Sequence, residues 1–417
     1  MKKNILFLFP SRFTEFTYYK FEISKLEKEY NLKVIIHDLS NIVSNKKFNS
    51  EWKTKLEKKT LKFSSLISWI FYFNKIRKEK IIIFNYVGIL NLNSFIINLL
   101  VRLSKLPVML YAPIDPFSKI VKKNKYFFLS RFKQHGFNYK VYLFHLKRYF
   151  FRFIINFIKY NRVFLFSNSF DKKNYNGIYG NKGKNFVKID FNTYDYSNAL
   201  LIKQKKKKKF IKNYIIYLDN GAPYFTGDAH LRGDRLLKCD LKKQYNDLNL
   251  FFDKIEKYFS AKIIVIPHPK YKSPNTEKIK SLNPYFNNRI VNNDYDSLAQ
   301  LSSNCLFFIN KMSTALSYAI FYNKPVIHIF SSEYLQASRE FQAMLDREFQ
   351  NILQQSKNVG HKPIDICKFN KKKIMESLTI NKSKYKYYKY QYLTPKNKTV
   401  EKIPNYKIIG NFIEKHF

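Results

Sequence analysis

The chain has 417 residues, of which 45% are hydrophobic and 18% aromatic. This apolar content excludes a disordered chain, and the length predicts two domains with separate cores and a cleft between them. Lysine and arginine number 76 against 30 aspartate and glutamate residues, which gives a formal net charge of +46.

The positive charge predicts anionic partners, because a field of this sign attracts nucleic acid, anionic lipid or phosphorylated substrates. A second interpretation stays open. Lysine, asparagine, isoleucine, phenylalanine and tyrosine are all frequent and glycine is scarce, with 10 residues, as a biased base composition would produce.

The first half of the chain alternates apolar runs with helical stretches. A strand at Ile5 to Phe9, a helix at Tyr18 to Tyr30 and a strand at Val34 to His37 make one βαβ unit, which predicts a parallel sheet. Further strands are predicted at Ile81 to Val87, Val108 to Pro113, and Val163 to Ser169. We therefore expect a doubly wound, Rossmann-like domain over 1–204.

A run of lysines, Lys205 to Lys209, marks the predicted domain boundary as a solvated linker. The alternation then resumes and predicts a second Rossmann-like domain over 205–399. Its predicted strands are Tyr214 to Leu218, Ile263 to Ile266, Leu306 to Ile309 and Val326 to Ile329, and its predicted helices are Asn246 to Tyr258, Asp296 to Ser302 and Thr314 to Tyr322. Two such domains place the carboxyl ends of both sheets around a shared crevice.

The sequence shows no targeting signal and no cysteine motif typical of metal binding or redox chemistry. The apolar run at the N-terminus has only five residues, too few for a signal peptide, and longer apolar regions are broken before about 18 residues. Cys239, Cys305 and Cys367 are far apart and have no metal-ligand spacing, which is typical of thiols in a reducing compartment. These features predict a cytoplasmic protein.

Two segments mix aromatic residues with cations. Lys140 to Lys159, with Lys147, Arg148 and Arg152, is interpreted either as a packed helix with a solvated basic face or as an amphipathic helix in peripheral contact with the anionic inner face of the cytoplasmic membrane. The tail sequence KSKYKYYKYQYL would suit stacking on nucleic acid. It matches no binding module, so no nucleic-acid partner is expected.

Three short motifs follow predicted strands of the second domain, where ligands bind in this architecture. In YLDNGAP, Asp219 follows an apolar strand and precedes a turn at Gly221. Such a carboxylate is suited to accept a proton from an acceptor hydroxyl, although Asp-Asn-Gly also favours a plain turn. In IVIPHPK, the prolines on both sides of His268, including Pro269, restrict the backbone around the imidazole. The imidazole then either stabilises a leaving phosphate or has a structural role only.

The third motif places Ser313 and Thr314 between an apolar strand and a predicted helix. Hydroxyl side chains at a helix start cap free amides and, with the helix dipole, favour phosphate. A plain N-cap is the alternative.

These three motifs, in this order, resemble those of bacterial sialyltransferases and related nonulosonic acid transferases of GT-B fold. The similarity in residues covers roughly Tyr214 to Phe330. It implies an α/β protein of GT-B type, with two doubly wound Rossmann-like domains facing a central cleft. The first domain would take the acceptor and the second the nucleotide-sugar donor, and the tail 400–417 would cross back to the first domain.

The resemblance also implies residue roles. Asp219 would be the general base, His268 would protonate or stabilise the departing CMP phosphate, and Gly221, Pro269, Ser313 and Thr314 would bind the donor phosphate. The expected reaction is an inverting transfer of a sialic acid-type sugar from a CMP donor to a glycan or glycolipid of a surface polysaccharide, such as lipopolysaccharide or capsule. One phosphate needs less charge neutralisation than a pyrophosphate, so no metal and no cofactor is expected.

Two details bear on the base and the metal. The family often has two adjacent acids in its first motif, whereas Leu218 precedes Asp219 here. The charged segment Gly227 to Arg235 therefore supplies alternative substrate-binding residues, Asp228, His230, Arg232 and Arg235, and Asp228 or His230 is the alternative base. Asp294 and Asp296, around Tyr295, are interpreted as a helix cap and not as a metal-binding pair.

Two other functions stay open. A CDP-glycerol-type polyol-phosphate transferase resembles the same layout and also releases CMP, but it transfers a phosphodiester group. A non-catalytic, basic protein that binds nucleic acid or a membrane surface would follow from the charge of +46 and the lysine-rich tail.

Overall fold

A computed structural model of the chain describes residues 4–43, 56, 59–113, 139–169, 186–203, 213–220, 241–268, 283–292, 295–333 and 342–417. Two parallel sheets with helices on their faces make the protein α/β, as predicted. The described residues of Met1–Ile114, Tyr139–Ser197 and Thr394–Phe417 form a first compact unit, and those of Asn198–Leu393 belong to a second.

The first unit contains a seven-stranded sheet in which every pairing is parallel. Its strands are β1 (Asn4–Phe9), β2 (Lys33–Asp38), β3 (Thr60–Lys62), β4 (Ile81–Asn85), β5 (Pro107–Tyr111), β6 (Arg162–Ser167) and β7 (Val187–Asp190). Their order is β3-β2-β1-β4-β5-β6-β7, so the chain moves outward from β1 in one direction and then continues on the other side from β4. This is the doubly wound pattern that the apolar runs predict.

Seven helices accompany these strands in the described part of the chain, α1 (Glu15–Lys20), α2 (Ile23–Glu29), α3 (Ser40–Val43), α4 (Leu66–Ile76), α5 (Leu92–Leu103), α6 (Tyr139–Ile155) and α7 (Tyr194–Lys203). Polar side chains cap the starts of α4 and α5, since Ser65 Oγ accepts from Ser68 N at 3.1 Å and Asn91 Oδ1 accepts from Ser94 N at 3.0 Å. Trp69 of α4 and Val101 of α5 then lie in the apolar core beneath the helices.

The second unit contains a six-stranded sheet that is also entirely parallel. Its strands are β8 (Tyr214–Leu218), β9 (Lys262–Ile266), β10 (Ile290–Val291), β11 (Phe308–Asn310), β12 (Val326–Phe330) and β13 (Ile364–Asp365), in the order β10-β9-β8-β11-β12-β13. Its described helices are α8 (Leu241–Phe259), α9 (Tyr295–Asn304), α10 (Leu316–Phe321), α11 (Gln342–Val359), α12 (Lys371–Ser377) and α13 (Lys382–Tyr388).

The helix predicted over Tyr18 to Tyr30 is instead two helices, α1 and α2. They are separated at Glu22, whose φ of 54° is left-handed and ends the helical path. Glu22 is buried, and its two carboxylate oxygens accept from Ser197 Oγ and, at 2.8 Å, from the backbone N–H of Tyr406. The break therefore follows from a contact with residues far along the chain.

The C-terminal segment packs on the first unit through its last helix, α14 (Asn405–His416). The Glu22 carboxylate lies at the start of α14, where it satisfies the Tyr406 N–H and complements the helix dipole. Farther along α14, the Tyr30 hydroxyl donates to Asn411 Oδ1 at 2.6 Å. An added Cβ at Gly410 would lie 2.3 Å from the Tyr30 ring, so only glycine fits there.

The lysine- and tyrosine-rich tail is folded into the second unit. Tyr385 and Tyr388 are buried, and the Tyr385 hydroxyl donates to the carbonyl oxygen of Lys324 at 2.8 Å. These two rings are therefore used for packing and do not offer faces on which nucleic-acid bases could stack.

Replacing Gly410 with alanine tests the fit of α14. In an open helix this change stabilises by about 1 kcal/mol, but here the new methyl group meets the Tyr30 ring. We expect Gly410→Ala to lower the free energy of unfolding by about 1–3 kcal/mol, as overpacking does. Urea denaturation measures this, and in a Tyr30→Ala background the same substitution should become neutral or stabilising. An equal loss in both backgrounds would contradict the role of the ring.

The buried carboxyl of Glu22 makes stability depend on pH. Burial raises its pKa from 4.5 to about 7. Between these values the folded protein holds a proton that the unfolded chain has released, so this contribution is present below about pH 4.5 and is lost as the pH rises through 7. Between pH 5 and pH 8, the free energy of unfolding should therefore fall more in the wild type than in Glu22→Gln, by at most about 3 kcal/mol.

The matched control for that measurement is Glu29→Gln. Glu29 also contacts Tyr406, and although burial raises its pKa, hydrogen bonds from Tyr406 and Lys25 leave the pKa lowered. The Glu29 carboxyl therefore titrates below the range from pH 5 to pH 8. Across that range, the free energy of unfolding of Glu29→Gln should change with pH as that of the wild type does. Parallel slopes for the wild type and Glu22→Gln would refute the assignment.

Candidate functional site

Parallel pairing brings the three predicted motifs to neighbouring strand ends. The central strand β8 lies between β9 and β11, and Leu218 pairs with Ile266 on one side and with Asn310 on the other. Asp219 is thus the next residue past β8, His268 stands two residues past β9, and Ser313 three residues past β11. Because adjacent strands lie about 4.8 Å apart, these three ends are close together. The winding direction also reverses between β8 and β11, where this architecture binds ligands.

Asp219 is held rigidly at the end of β8. It is only 4% exposed, and its backbone N–H donates to the carbonyl oxygen of Ile266 at 2.9 Å. The hydroxyl of Tyr217 donates to Asp219 Oδ1 at 3.4 Å. Burial, with the negative charge of Asp219, raises the pKa of Tyr217 well above 10, so this hydroxyl stays protonated as a donor. A carboxylate in this position is suited to accept a proton.

The turn that carries the hydroxyl motif is fixed by two buried amides. Asn310 Oδ1 accepts from Ser313 N at 3.0 Å, and Asn310 Nδ2 donates to Gln355 Oε1 at 2.9 Å. Gln355 Nε2 in turn donates to the carbonyl oxygen of Ser313 at 3.2 Å. Asn310 and Gln355 are both fully buried. Sequence reasoning missed them, although an asparagine that ends an apolar strand three residues before Ser313 is a signal for such a turn.

The helix after this motif starts later than predicted. It was expected from Thr314, but α10 begins at Leu316 and its N-cap residue is Ala315. Ser313 Oγ accepts from Ala315 N at 3.2 Å within the preceding turn, while Thr314 is exposed. The two hydroxyls therefore stand in a turn and do not cap the helix.

A buried ion pair lies beside the site. Lys311, the first residue past β11, is 7% exposed, and its Nζ lies 2.8 Å from Glu348 Oε1 of α11. The sequence signal, a lysine directly after an apolar strand, was available but was not interpreted. Since the charge of Lys311 is balanced by Glu348, the pair adds little net charge to this edge of the sheet.

Two further histidines lie behind the motif, of which His328 is buried and His361 is half-buried. His328 of β12 pairs in register with Asn310, and its Nδ1 lies 3.1 Å from His361 Nε2. Burial lowers the pKa of His328 well below 6.5 and that of His361 to about 4. Both imidazoles are thus neutral at neutral pH, which suits a structural contact.

His268 differs from this pair in its placement. It is half-buried at the end of β9 and follows the buried Pro267. The other predicted site residues, Gly221, Pro269, Asp228, His230, Arg232 and Arg235, lie outside the described residues, as does Asp294.

The described ranges contain no group of three or more histidine, cysteine, aspartate or glutamate residues placed to hold a metal ion. In the same ranges, no helix has the length and hydrophobicity needed to cross a membrane.

Comparison with known proteins identifies the fold. No protein-family model and no curated protein matches the chain. Among solved structures, the wall teichoic acid polymerase TagF, soaked with CDPG, aligns with a TM-score of 0.51 at 13% identity, over 99% of this chain and 88% of that chain. The fold is GT-B.

Two other solved structures align at a TM-score of 0.49. The UDP-GlcNAc 2-epimerase of Methanocaldococcus jannaschii is 12% identical over 99% of this chain and 100% of that chain. The glycotransferase of kitacinnamycin is 9% identical over 99% of both chains.

Replacing Gln355 with leucine tests the clamp on the hydroxyl turn. The change leaves Asn310 Nδ2 and the Ser313 carbonyl without their buried partner, which costs about 1–3 kcal/mol of stability. Urea denaturation measures the loss, and hydrogen exchange should show weaker protection of the Ser313 amide. Gln354→Leu on the same helix, where the half-buried side chain donates to Asn358, is the matched control, and its effect should stay within about 0.5 kcal/mol. Equal effects of the two substitutions would argue against the clamp.

Proposed function

We propose that this protein is a glycosyltransferase that moves a nonulosonic acid of the sialic acid type from a CMP donor to a surface-glycan acceptor, with inversion and without a metal. One observation carries the proposal. Asp219, His268 and Ser313 follow three adjacent parallel strands at the point where the sheet reverses its winding. The GT-B fold, in which nucleotide-dependent transferases are built, supports it.

In this proposal the buried carboxylate of Asp219 accepts the proton of the acceptor hydroxyl. Tyr217 donates to Oδ1 and holds the carboxylate in place while burial limits its hydration. The bond between the sugar and the CMP oxygen breaks as the acceptor oxygen attacks the opposite face of the anomeric carbon. Attack and departure on opposite faces invert the configuration.

The departing phosphate needs donors of hydrogen bonds or positive charge. Lys311 is balanced by Glu348, so this role falls to His268 and to the hydroxyl turn. Ser313 Oγ already accepts from Ala315 N, which leaves its hydroxyl hydrogen to donate to a phosphate oxygen. The imidazole of His268, at the neighbouring strand end, would stabilise or protonate the phosphate.

A polyol-phosphate transferase is the second candidate, because the TagF structure that shares this fold was soaked with CDPG. Both reactions release CMP. The two differ in the bond that is broken, since the polyol transferase attacks phosphorus and the sialyltransferase-like enzyme attacks an anomeric carbon.

The first test is nucleotide binding. CMP should raise the melting temperature of the purified protein more than UDP or GDP, because a ligand at about 100 times its Kd adds about 2.7 kcal/mol to the free energy of unfolding. The double variant Ser313→Ala/Thr314→Ala should lose this shift, whereas the matched hydroxyl variant Thr379→Ala/Ser383→Ala, at exposed positions elsewhere in the second unit, should keep it. A preference for UDP or GDP would refute the CMP donor.

Transfer is tested next, with a CMP-activated nonulosonic acid and CDP-glycerol as alternative donors. His268→Ala and Asp219→Asn should each lower kcat by about 10²–10⁴-fold without changing the melting temperature. His416→Ala, at an exposed position in α14, is the matched control and should retain full activity. A fully active His268→Ala enzyme would overturn the mechanism, and turnover of CDP-glycerol alone would favour the second candidate.

A further inference from the structure

Helix α6 directs two arginines inward and most of its large apolar side chains outward, whereas a surface helix of a globular domain usually buries its apolar side. Its arginines point inward, where Arg148 Nε donates to the carbonyl oxygen of Ile89 at 3.2 Å and burial lowers the pKa of Arg152 to about 10. Its large apolar side chains point outward and are 46–73% exposed: Leu143, Leu146, Tyr149, Phe150, Phe153 and, just past the helix, Phe157. The basic face expected for this segment is therefore solvated only in part, since Lys147 and Lys159 are exposed while Arg148 and Arg152 are directed inward.

The neighbouring helices extend the apolar surface. The connections from β3 to β4, from β4 to β5 and from β5 to β6 all cross the sheet in one direction, so right-handed crossovers place α4, α5 and α6 on the same face. Arg102 ties α5 to α6, because its Nη1 donates to the carbonyl oxygens of Ile155 and Ile158. The outward side chains of the other two helices are also exposed and apolar: Ile67 and Phe71 on α4, and Leu92 and Leu103 on α5.

A cationic edge borders this apolar face. Helices α4, α5 and α6 end in the turns before β4, β5 and β6, three adjacent parallel strands, so these turns lie side by side. The turns and the first residue of β6 carry exposed cations, Arg77, Lys78, Lys80, Lys105, Lys159 and Arg162, against a single carboxylate, Glu79. We define the outward apolar side chains of α4, α5 and α6, with these cations, as the apolar–cationic face.

We propose that the apolar–cationic face docks on the surface of an anionic lipid bilayer. Aromatic and aliphatic side chains would enter the boundary between headgroups and acyl chains, while the cations contact lipid phosphates. Charge complementarity selects this occupant over a second copy of the chain, because two copies with a net charge of +46 each repel one another. The inference concerns binding alone and is independent of the reaction at the second sheet.

The experiment measures binding of the full chain to vesicles of phosphatidylcholine and phosphatidylglycerol in equal amounts, by co-sedimentation. Phe150→Gln/Phe153→Gln should raise the Kd at least about 10-fold. The matched control Leu250→Gln/Met375→Gln removes exposed apolar side chains of the second unit and should leave the Kd unchanged. All four positions are exposed, so these variants should keep the wild-type melting temperature.

The cations are tested in the same way. Lys105→Gln/Lys159→Gln should weaken binding more than Lys371→Gln/Lys372→Gln, which removes two exposed lysines from α12. A tryptophan at position 150 reports insertion, since the fluorescence of Phe150→Trp should shift to the blue on vesicles while that of the exposed control Tyr387→Trp should not.

Three results would overturn the proposal. Vesicle binding that persists in Phe150→Gln/Phe153→Gln would show that net charge alone attracts the protein to the vesicles. Complete loss of wild-type binding at about 0.5 M salt would show the same. Equal affinity for vesicles of pure phosphatidylcholine would remove the role of the cations. A dimer that dissociates in Phe150→Gln/Phe153→Gln, without vesicle binding by the wild type, would assign the face to a second copy.

Discussion

The candidate site depends on the hydrogen bonding of β8 to parallel neighbours on both of its sides. This double pairing brings the ends of β9, β8 and β11 together, so residues from distant parts of the sequence meet at one edge of the sheet. The same pairing continues past the strand, since the Asp219 N–H still donates to Ile266. This backbone constraint thus positions the first, second and third motifs relative to one another.

The ionisable groups behind that edge carry little net charge, which limits what they contribute electrostatically to the site. Lys311 is balanced by Glu348, and the imidazoles of His328 and His361 are neutral. The large net charge of the protein is therefore not concentrated in these buried groups. In the proposed reaction, the phosphate contacts are therefore assigned to hydroxyl donors and His268, and this set suits one phosphate group better than a pyrophosphate.

Sequence patterns predict the central strands well because these strands are buried on both faces and appear as continuous apolar runs. The short strands at or next to the sheet edges, β3, β7, β10 and β13, lack such runs and were missed. Local sequence patterns do not predict the features that long-range contacts determine. Glu22 breaks a helix because residues near position 406 require its carboxylate, and Gln355 reaches the site from a helix that no motif connects to it. The order of the three motifs was predictable, whereas their supporting amides were not.

The break at Glu22 also has a consequence for how the first unit forms. Its carboxylate is buried against Ser197 and the start of α14. The ring of Tyr30 packs on α14 at position 410, where glycine leaves room for it. The first unit is therefore incomplete until residues 405–416 have been synthesised. Contacts between such distant residues form late, because closing a long loop costs entropy before the contact stabilises the fold. Without Tyr406, Glu22 would keep Ser197 as a partner but its second carboxyl oxygen would lose its donor, so the N-terminal half alone lacks part of what its own core requires.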